Sequence, residues 1–210
     1  QQGLAVEPEA RQICIDGVRH GERYGIRVRE GLPANDGERL AKPVELDVYV
    51  RDRSPAVRFP GRAYVLPKGG EPTLPIVTIN TERVDAALYR VGDRALGGFV
   101  ADDALFGQLS GYEAEAIAER RGERLWQGII EVRSELNKEV TTAVPVAELL
   151  AEAGAAERPA TMQPGSYILT ARPSEATDDG TLATQWFVVS DLGLTSMAGD
   201  DGLHAFVRSL

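Results

Sequence analysis

Val44-Glu45-Leu46-Asp47-Val48-Tyr49-Val50 alternates without a break. Val44, Leu46, Val48 and Val50 fall on one side of an extended chain; Glu45, Asp47 and Tyr49 fall on the other. A helix would scatter these residues around its axis, whereas a strand with one buried face keeps them apart. The same period runs through Arg23 to Arg29, with Tyr24, Ile26 and Val28 on one face and Gly25, Arg27 and Arg29 on the other. Gln12 to Asp16 is a shorter strand of the same kind.

Between these stretches lie Asp16-Gly17, His20-Gly21 and Leu32-Pro33-Ala34-Asn35-Asp36-Gly37, all turn chemistry. Residues 4–50 therefore read as about four strands and no helix. An immunoglobulin-like sandwich takes about seven strands, so this is the second half of one. Arg51-Asp52-Arg53-Ser54-Pro55 is polar, ends in proline and forms the expected joint.

Beyond the joint the pattern stays β-rich. Strands are expected over Arg62 to Leu66, Leu74 to Thr81, Val84 to Arg90, Leu125 to Leu136 and Val140 to Val144. The turn Leu136-Asn137-Lys138-Glu139 joins the last two as a hairpin. Gly165 to Arg172 and Thr184 to Ser190 form a second hairpin, and Leu203 to Leu210 begins a further strand. Two helices interrupt. Tyr112 to Arg121 carries an apolar stripe, with Ser110 as N-cap, Glu113 at capping-box spacing and Gly122 as its stop. Val146 to Ala153 is shorter and is closed by Gly154.

Chemistry is sparse. The chain has 210 residues, 23 basic against 32 acidic side chains and a net charge of −9, which opposes phosphate binding. No apolar run reaches the length of a membrane helix. The single cysteine, Cys14, excludes an internal disulfide. It lies six residues from His20 with no orienting third group, so it reads as a buried small hydrophobe and not as a nucleophile. His20 and His204 are the only histidines. Asp102-Asp103, Asp178-Asp179 and Asp200-Asp201 supply too few oxygens for a calcium loop and suit turns. Glu113, Glu115 and Glu119 read as a solvated helix face. Trp126 and Trp186 sit among aliphatics as core. No catalytic, cofactor-binding or metal-ligating residue is assigned, and no cofactor is expected.

Several stretches carry a family resemblance. They are Val50 to Pro55, Arg58-Phe59-Pro60-Gly61-Arg62-Ala63-Tyr64-Val65-Leu66-Pro67, Tyr89 to Arg94, Trp126-Gln127-Gly128 and Pro164-Gly165-Ser166-Tyr167. The strongest is Gln185-Trp186-Phe187-Val188-Val189-Ser190-Asp191-Leu192-Gly193-Leu194-Thr195, continued by Gly202 to Leu210. In this order they resemble the N-terminal region of bacterial alpha-2-macroglobulins. The resemblance implies tandem immunoglobulin-like (macroglobulin) antiparallel β-sandwiches, mainly β, with short helical insertions in the second. Residues 1–55 would be the C-terminal part of one such domain. Residues 56–196 would be the second, and 197–210 a linker plus the first strand of a third.

It further implies a scaffold segment of a periplasmic protease trap, not an enzyme. The parent would be anchored through its lipidated N-terminus, with neighbouring macroglobulin domains and, through the parent, proteases as partners. Many members carry a Cys–Gln thioester. Cys14 stands in Ile13-Cys14-Ile15-Asp16 with no following Glu-Gln, so that chemistry is not carried over. The competing reading is a cell-envelope adhesion or glycan-binding module; a thiol enzyme is the third.

Overall fold

The computed structural model describes residues 4–8, 13–34, 36–61, 63–67, 72–152, 163–177 and 180–209. The chain divides into two compact units, Gln1–Ser54 and Pro55–Leu210. The first holds two antiparallel strand pairs: β1 (Ala5–Pro8) with β2 (Ile13–Asp16), and β3 (Arg23–Val28) with β4 (Val44–Tyr49). In the second pair Tyr24, Ile26 and Val28 stand opposite Val48, Leu46 and Val44, so all six share one face. The alternation read from sequence is correct. The burial expected from it is not, because Val44, Leu46 and Val48 are exposed within this unit. A two-stranded pair has no second layer to cover its apolar side.

The second unit is a β-sandwich. Its strands are β5 (Ala56–Arg58), β6 (Ala63–Leu66), β7 (Thr73–Ile79), β8 (Arg83–Val91), β9 (Leu109–Ser110), β10 (Gly122–Glu131), β11 (Glu139–Pro145), β12 (Gly165–Pro173) and β13 (Thr181–Val189). The larger sheet has the order β10-β8-β12-β13-β6, with β9 pairing the far end of β13; the smaller has the order β11-β7-β5. All pairings are antiparallel except β13 with β6. Between the two sheets lie Leu74 and Ile76 from β7, Val84, Ala86 and Leu88 from β8, Trp126, Tyr167, Leu169 and Phe187. Val146 and Leu149 of α3 (Val146–Glu152) join them. Tyr167 stacks on Phe187 with ring centroids 5.3 Å apart.

The expected hairpin across Asn137 does not form. The turn itself exists: Asn137 has φ 63° and Lys138 N–H donates to the Glu135 carbonyl at 3.1 Å. But β10 ends at Glu131 and pairs with β8, while β11 pairs with β7 in the other sheet. The connection is a corner between sheets. So is the β7–β8 link, where Asn80 has φ 49°. The two corners brace each other: Asn137 N–H donates to Asn80 Oδ1 at 2.6 Å, and Asn80 Nδ2 donates to Asn137 Oδ1 at 3.2 Å. Asparagine tolerates the left-handed backbone that each corner needs.

A helical excursion leaves the sandwich between β8 and β10. It comprises α1 (Asp93–Ala101), β9, α2 (Gly111–Ala116) and a π-helical turn, Ile117–Arg121. The sequence reading had the region of α2 and missed α1. Gly97 and Gly98 lower helix propensity in the middle of α1, and burial of Phe99 outweighs them. The capping box is present. Ser110 Oγ accepts the Glu113 N–H, and the Glu113 carboxylate accepts the Ser110 N–H at 2.7 Å. The stretch expected as one α-helix widens to a π-helix at Ile117 before Gly122 starts β10. α3 lies at the expected place; its expected stop, Gly154, falls outside the described residues.

The chain closes with β14 (Leu192–Gly199) and β15 (Gly202–Ser209), a hairpin paired from Leu192↔Ser209 to Gly199↔Gly202. Residues 197–199, expected in a linker, belong to its first strand. Leu192, Leu194, Ala198, Leu203, Ala205 and Val207 share one face. Leu194 is 70% and Val207 64% exposed, so this face is as uncovered as that of β3–β4.

Two outcomes follow from this packing. Trp186→Ala destabilises the second unit by about 3–5 kcal/mol, read as a fall in the denaturant midpoint at unchanged slope. Ser110→Ala costs about 1 kcal/mol. The hydrogen bonds from Ser110, backbone first, hold the Glu113 carboxyl below its ordinary range. Its stabilisation is therefore complete above that range and lost as the pH falls through the lowered value. Glu113→Gln flattens that part of the stability–pH curve.

Candidate functional site

The large sheet is apolar on both faces. Even and odd positions of β8 separate cleanly: Val84, Ala86 and Leu88 face the sandwich interior, while Ala87, Tyr89 and Val91 face the helical excursion. Register carries this second face across the sheet, since Tyr89 stands opposite Ile168 and Ile168 opposite Trp186. Over this strip pack Phe99, Leu109, Ala114 and Ile117. Phe99 meets Trp186 edge-on at 5.1 Å, and Phe106 does so at 6.1 Å. Trp186 Nε1 donates to the Gly107 carbonyl at 3.0 Å. Burial raises the Tyr89 hydroxyl above its ordinary pKa, and the nearby Glu115 carboxylate adds to this.

One side chain substitutes for a strand at the edge of β13. The Gln108 amide donates to the Thr184 carbonyl at 3.2 Å and accepts the Thr184 N–H at 2.9 Å. This bridges the gap between the parts of β13 paired with β9 and with β6. On the interior side, Gln185 continues the row Trp126–Leu88–Leu169. It is 0% exposed; Nε2 donates to the Trp186 carbonyl at 2.8 Å, and Oε1 has no partner among the described residues.

Where α2 stops, a groove of about 590 Å³ remains on the outer face of the sheet. Ala87, Thr170, Gln127 and Ile129 line it, with Gly111, Ala114 and Glu115 as one wall. Its charged groups are paired: Arg124 with Glu115 at 2.7 Å, and Arg172 with Asp85 at 3.6 Å. Asp85 also accepts the Ser174 hydroxyl at 2.7 Å. Among the described residues lining the groove, the carboxylates Glu115 and Asp85 thus each have a basic partner.

The residues weighed from sequence are dispersed. Cys14 is half-buried, not buried: it stands opposite Glu7, and on the other face of the β1–β2 pair Val6 and Ile13 are themselves exposed, so among the described residues neither face is closed over. The His20 ring nitrogen Nδ1 lies 2.8 Å from the Arg51 carbonyl oxygen. His204 lies 3.0 Å from Asp201 at the β14–β15 turn. Asp102 pairs with Arg121 at 3.5 Å, and Asp103 has φ 53°, a turn position. Asp178-Asp179 lie outside the described residues. No group of three His, Cys, Asp or Glu suited to a metal occurs among the described residues. Trp126 and Trp186 are core, one in each cluster. Sequence reasoning missed Gln108, whose only signal is a polar residue just before the short strand Leu109–Ser110.

A family model for the bacterial alpha-2 macroglobulin MG2 domain matches residues 58–168. The chain belongs to the bacterial alpha-2-macroglobulin family. It is 28% identical over 214 residues to the alpha-2-macroglobulin of Xylella fastidiosa strain 9a5c, covering 99% of this chain and 12% of the relative. The Escherichia coli K12 alpha-2-macroglobulin is 21% identical over 185 residues, 88% of this chain and 10% of the relative. The chain thus spans about an eighth of the length of these curated relatives.

Solved structures agree on the fold. A Salmonella alpha-2-macroglobulin mutant, Y1175G, superposes with a TM-score of 0.66 at 20% identity, over 98% of this chain and 11% of that one. A native Escherichia coli alpha-2-macroglobulin piece spanning domains MG0-NIE-MG1 gives 0.59 at 20% identity, over 98% of this chain and 62% of that one. The mainly β, macroglobulin-type architecture is that of these proteins. No helix among the described residues is long and apolar enough to cross a membrane.

The unpaired amide oxygen yields a direct test. Gln185→Met keeps the volume and removes both an acceptor that has no partner and the Nε2 bond to the Trp186 carbonyl; gain and loss offset, so stability stays within about 1 kcal/mol of the parent. Gln108→Ala removes two satisfied backbone bonds at the edge of β13 and costs more. Urea titration of both variants checks the order.

Proposed function

We propose that this chain is a scaffold segment of a bacterial alpha-2-macroglobulin-like protease trap, without catalytic or thioester chemistry of its own. The observation that carries the reading is the family match over residues 58–168, joined to two apolar strand pairs that the described chain does not cover. In this reading residues 1–55 are the C-terminal part of one macroglobulin domain, and the sandwich from 56 onward is the next. Among the described residues β14 starts at Leu192 and pairs with β15, which supports ending that sandwich near Ser190, short of the expected 196. The hairpin then opens the following domain. Neighbouring strands of the parent would cover β3–β4 and β14–β15.

Proteases are partners through the parent alone. The parent would work in the periplasm, held at a membrane by a lipidated N-terminus. Both tryptophans are buried, which removes the rings best suited to sugar stacking from the glycan-binding alternative.

At 22.7 kDa the chain is too small to enclose a protease. The isolated chain is expected to leave a panel of endopeptidases uninhibited at equimolar ratio, in a peptide-substrate assay. Stoichiometric inhibition would overturn the scaffold reading. In the parent, a flexible insertion between Ser54 and Pro55 is expected to weaken trapping while the parent is still cut by the protease. Unchanged trapping would make the segment a passive spacer.

A further inference from the structure

We infer that the apolar face of β3–β4 in one copy of the chain packs on the apolar face of β14–β15 in a second copy. The inference goes beyond the scaffold reading and does not depend on it. Both faces are open among the described residues. On the first, Val44, Leu46 and Val48 are exposed and Tyr24, Ile26 and Val28 half-buried. On the second, all of β15 is exposed, and so is β14 apart from Gly193. Open apolar surface of this kind marks a contact site, and a lone strand pair gains a second layer by packing on another sheet.

The two faces differ in relief, in opposite senses. Across β3–β4 the middle row is Ile26 opposite Leu46, with Val28 opposite Val44 on one side and Tyr24 opposite Val48 on the other. Isoleucine and leucine reach further from the backbone than valine, so the middle row is a ridge. The Tyr24 hydroxyl donates to Glu22 and accepts the Arg19 N–H, which ties the ring tip to the chain ahead of the strand. Across β14–β15 the middle row is Ser196 opposite Ala205, a trough between Leu194–Val207 and Ala198–Leu203. Sheets packed face to face stand about 10 Å apart, so long side chains of one must meet short ones of the other. Ridge into trough meets that condition. Ridge on ridge overpacks and trough on trough leaves a void, so neither face suits a copy of itself.

Charge selects the same pairing. In the hairpin and its flanking residue, Asp191, Asp200 and Asp201 outnumber Arg208, so two hairpins repel each other. Around β3–β4, residues 22–30 and 42–51 carry five basic groups against four acidic ones. The contact is heterologous: every addition leaves one face of each kind free, so copy can follow copy. Each patch is smaller than the roughly 800 Å² per partner of a standard interface, so the association is weak, with a Kd on the order of 0.1 mM. In a longer parent, strands seated on either face would exclude the second copy.

Sedimentation equilibrium on the whole chain, from about 10 μM to about 1 mM, brackets that affinity. The mean mass is expected to rise with concentration and to pass that of a dimer. Leu46→Lys breaks the ridge, and Leu194→Lys puts a charge on one wall of the trough. Each variant alone is expected to stay monomeric, with the circular dichroism of the unmodified chain. Mixed in equal amounts they are expected to form a one-to-one dimer that grows no further, because each supplies the face the other lacks. A variant that does not fold is replaced by Val44→Lys or Leu203→Lys on the same face. The inference is overturned if the unmodified chain stays monomeric throughout that range, or if the mixture does. It is also overturned if only one of the two variants blocks association, since like faces would then be pairing.

Discussion

Everything in the second unit depends on one sheet that is apolar on both faces. A strand with a single buried face alternates; β8 does not, because its even positions enter the sandwich core and its odd positions enter the helical cover. Such a sheet is stable only when covered twice. The three-stranded sheet covers one side and the excursion 93–121 covers the other. The helices are therefore part of the fold's closure and not decoration on a sandwich.

The smaller sheet solves its exposed face by different means. Val77 and Ile79 are buried although they alternate with the inward-facing Leu74, Ile76 and Thr78. Arg58 stands opposite Val77 and Glu139 opposite Ile79, and the two charged side chains meet at 2.7 Å across the central strand. Their aliphatic stems shield the apolar pair while the charged ends stay in water. A surface ion pair contributes little by its own attraction; here its position over two buried residues gives it value. With this strap, the solvent side of β11-β7-β5 presents charge and threonine.

Among the described residues the remaining strand pairs have no such cover. β3–β4 and β14–β15 each present an apolar face and a more polar one, and a two-stranded pair is marginal alone. This contrast fits a segment whose middle is closed and whose flanks engage neighbours. It matches the family assignment, in which the relatives are several times longer than this chain. The proposed scaffold role needs defined surfaces more than reactive groups, and the paired charges around the groove accord with it.

The sequence by itself determined the main strands of the sandwich, the capping box at Ser110 and Glu113, the core role of Trp126 and Trp186, and the family, but not β14. Each rests on local information: side-chain period, turn residues, or motifs fixed in order. What needed the tertiary structure was partnership. Asn137 announces a turn but not that β10 and β11 part to different sheets. Gly97-Gly98 hides a helix that only the burial of Phe99 stabilises. Cys14 between two isoleucines looks buried, yet Ile13 beside it is itself exposed, since among the described residues no second layer covers the β1–β2 pair. Val44, Leu46 and Val48 alternate as core residues do, yet burial is a property of two layers, and a strand's period records only one.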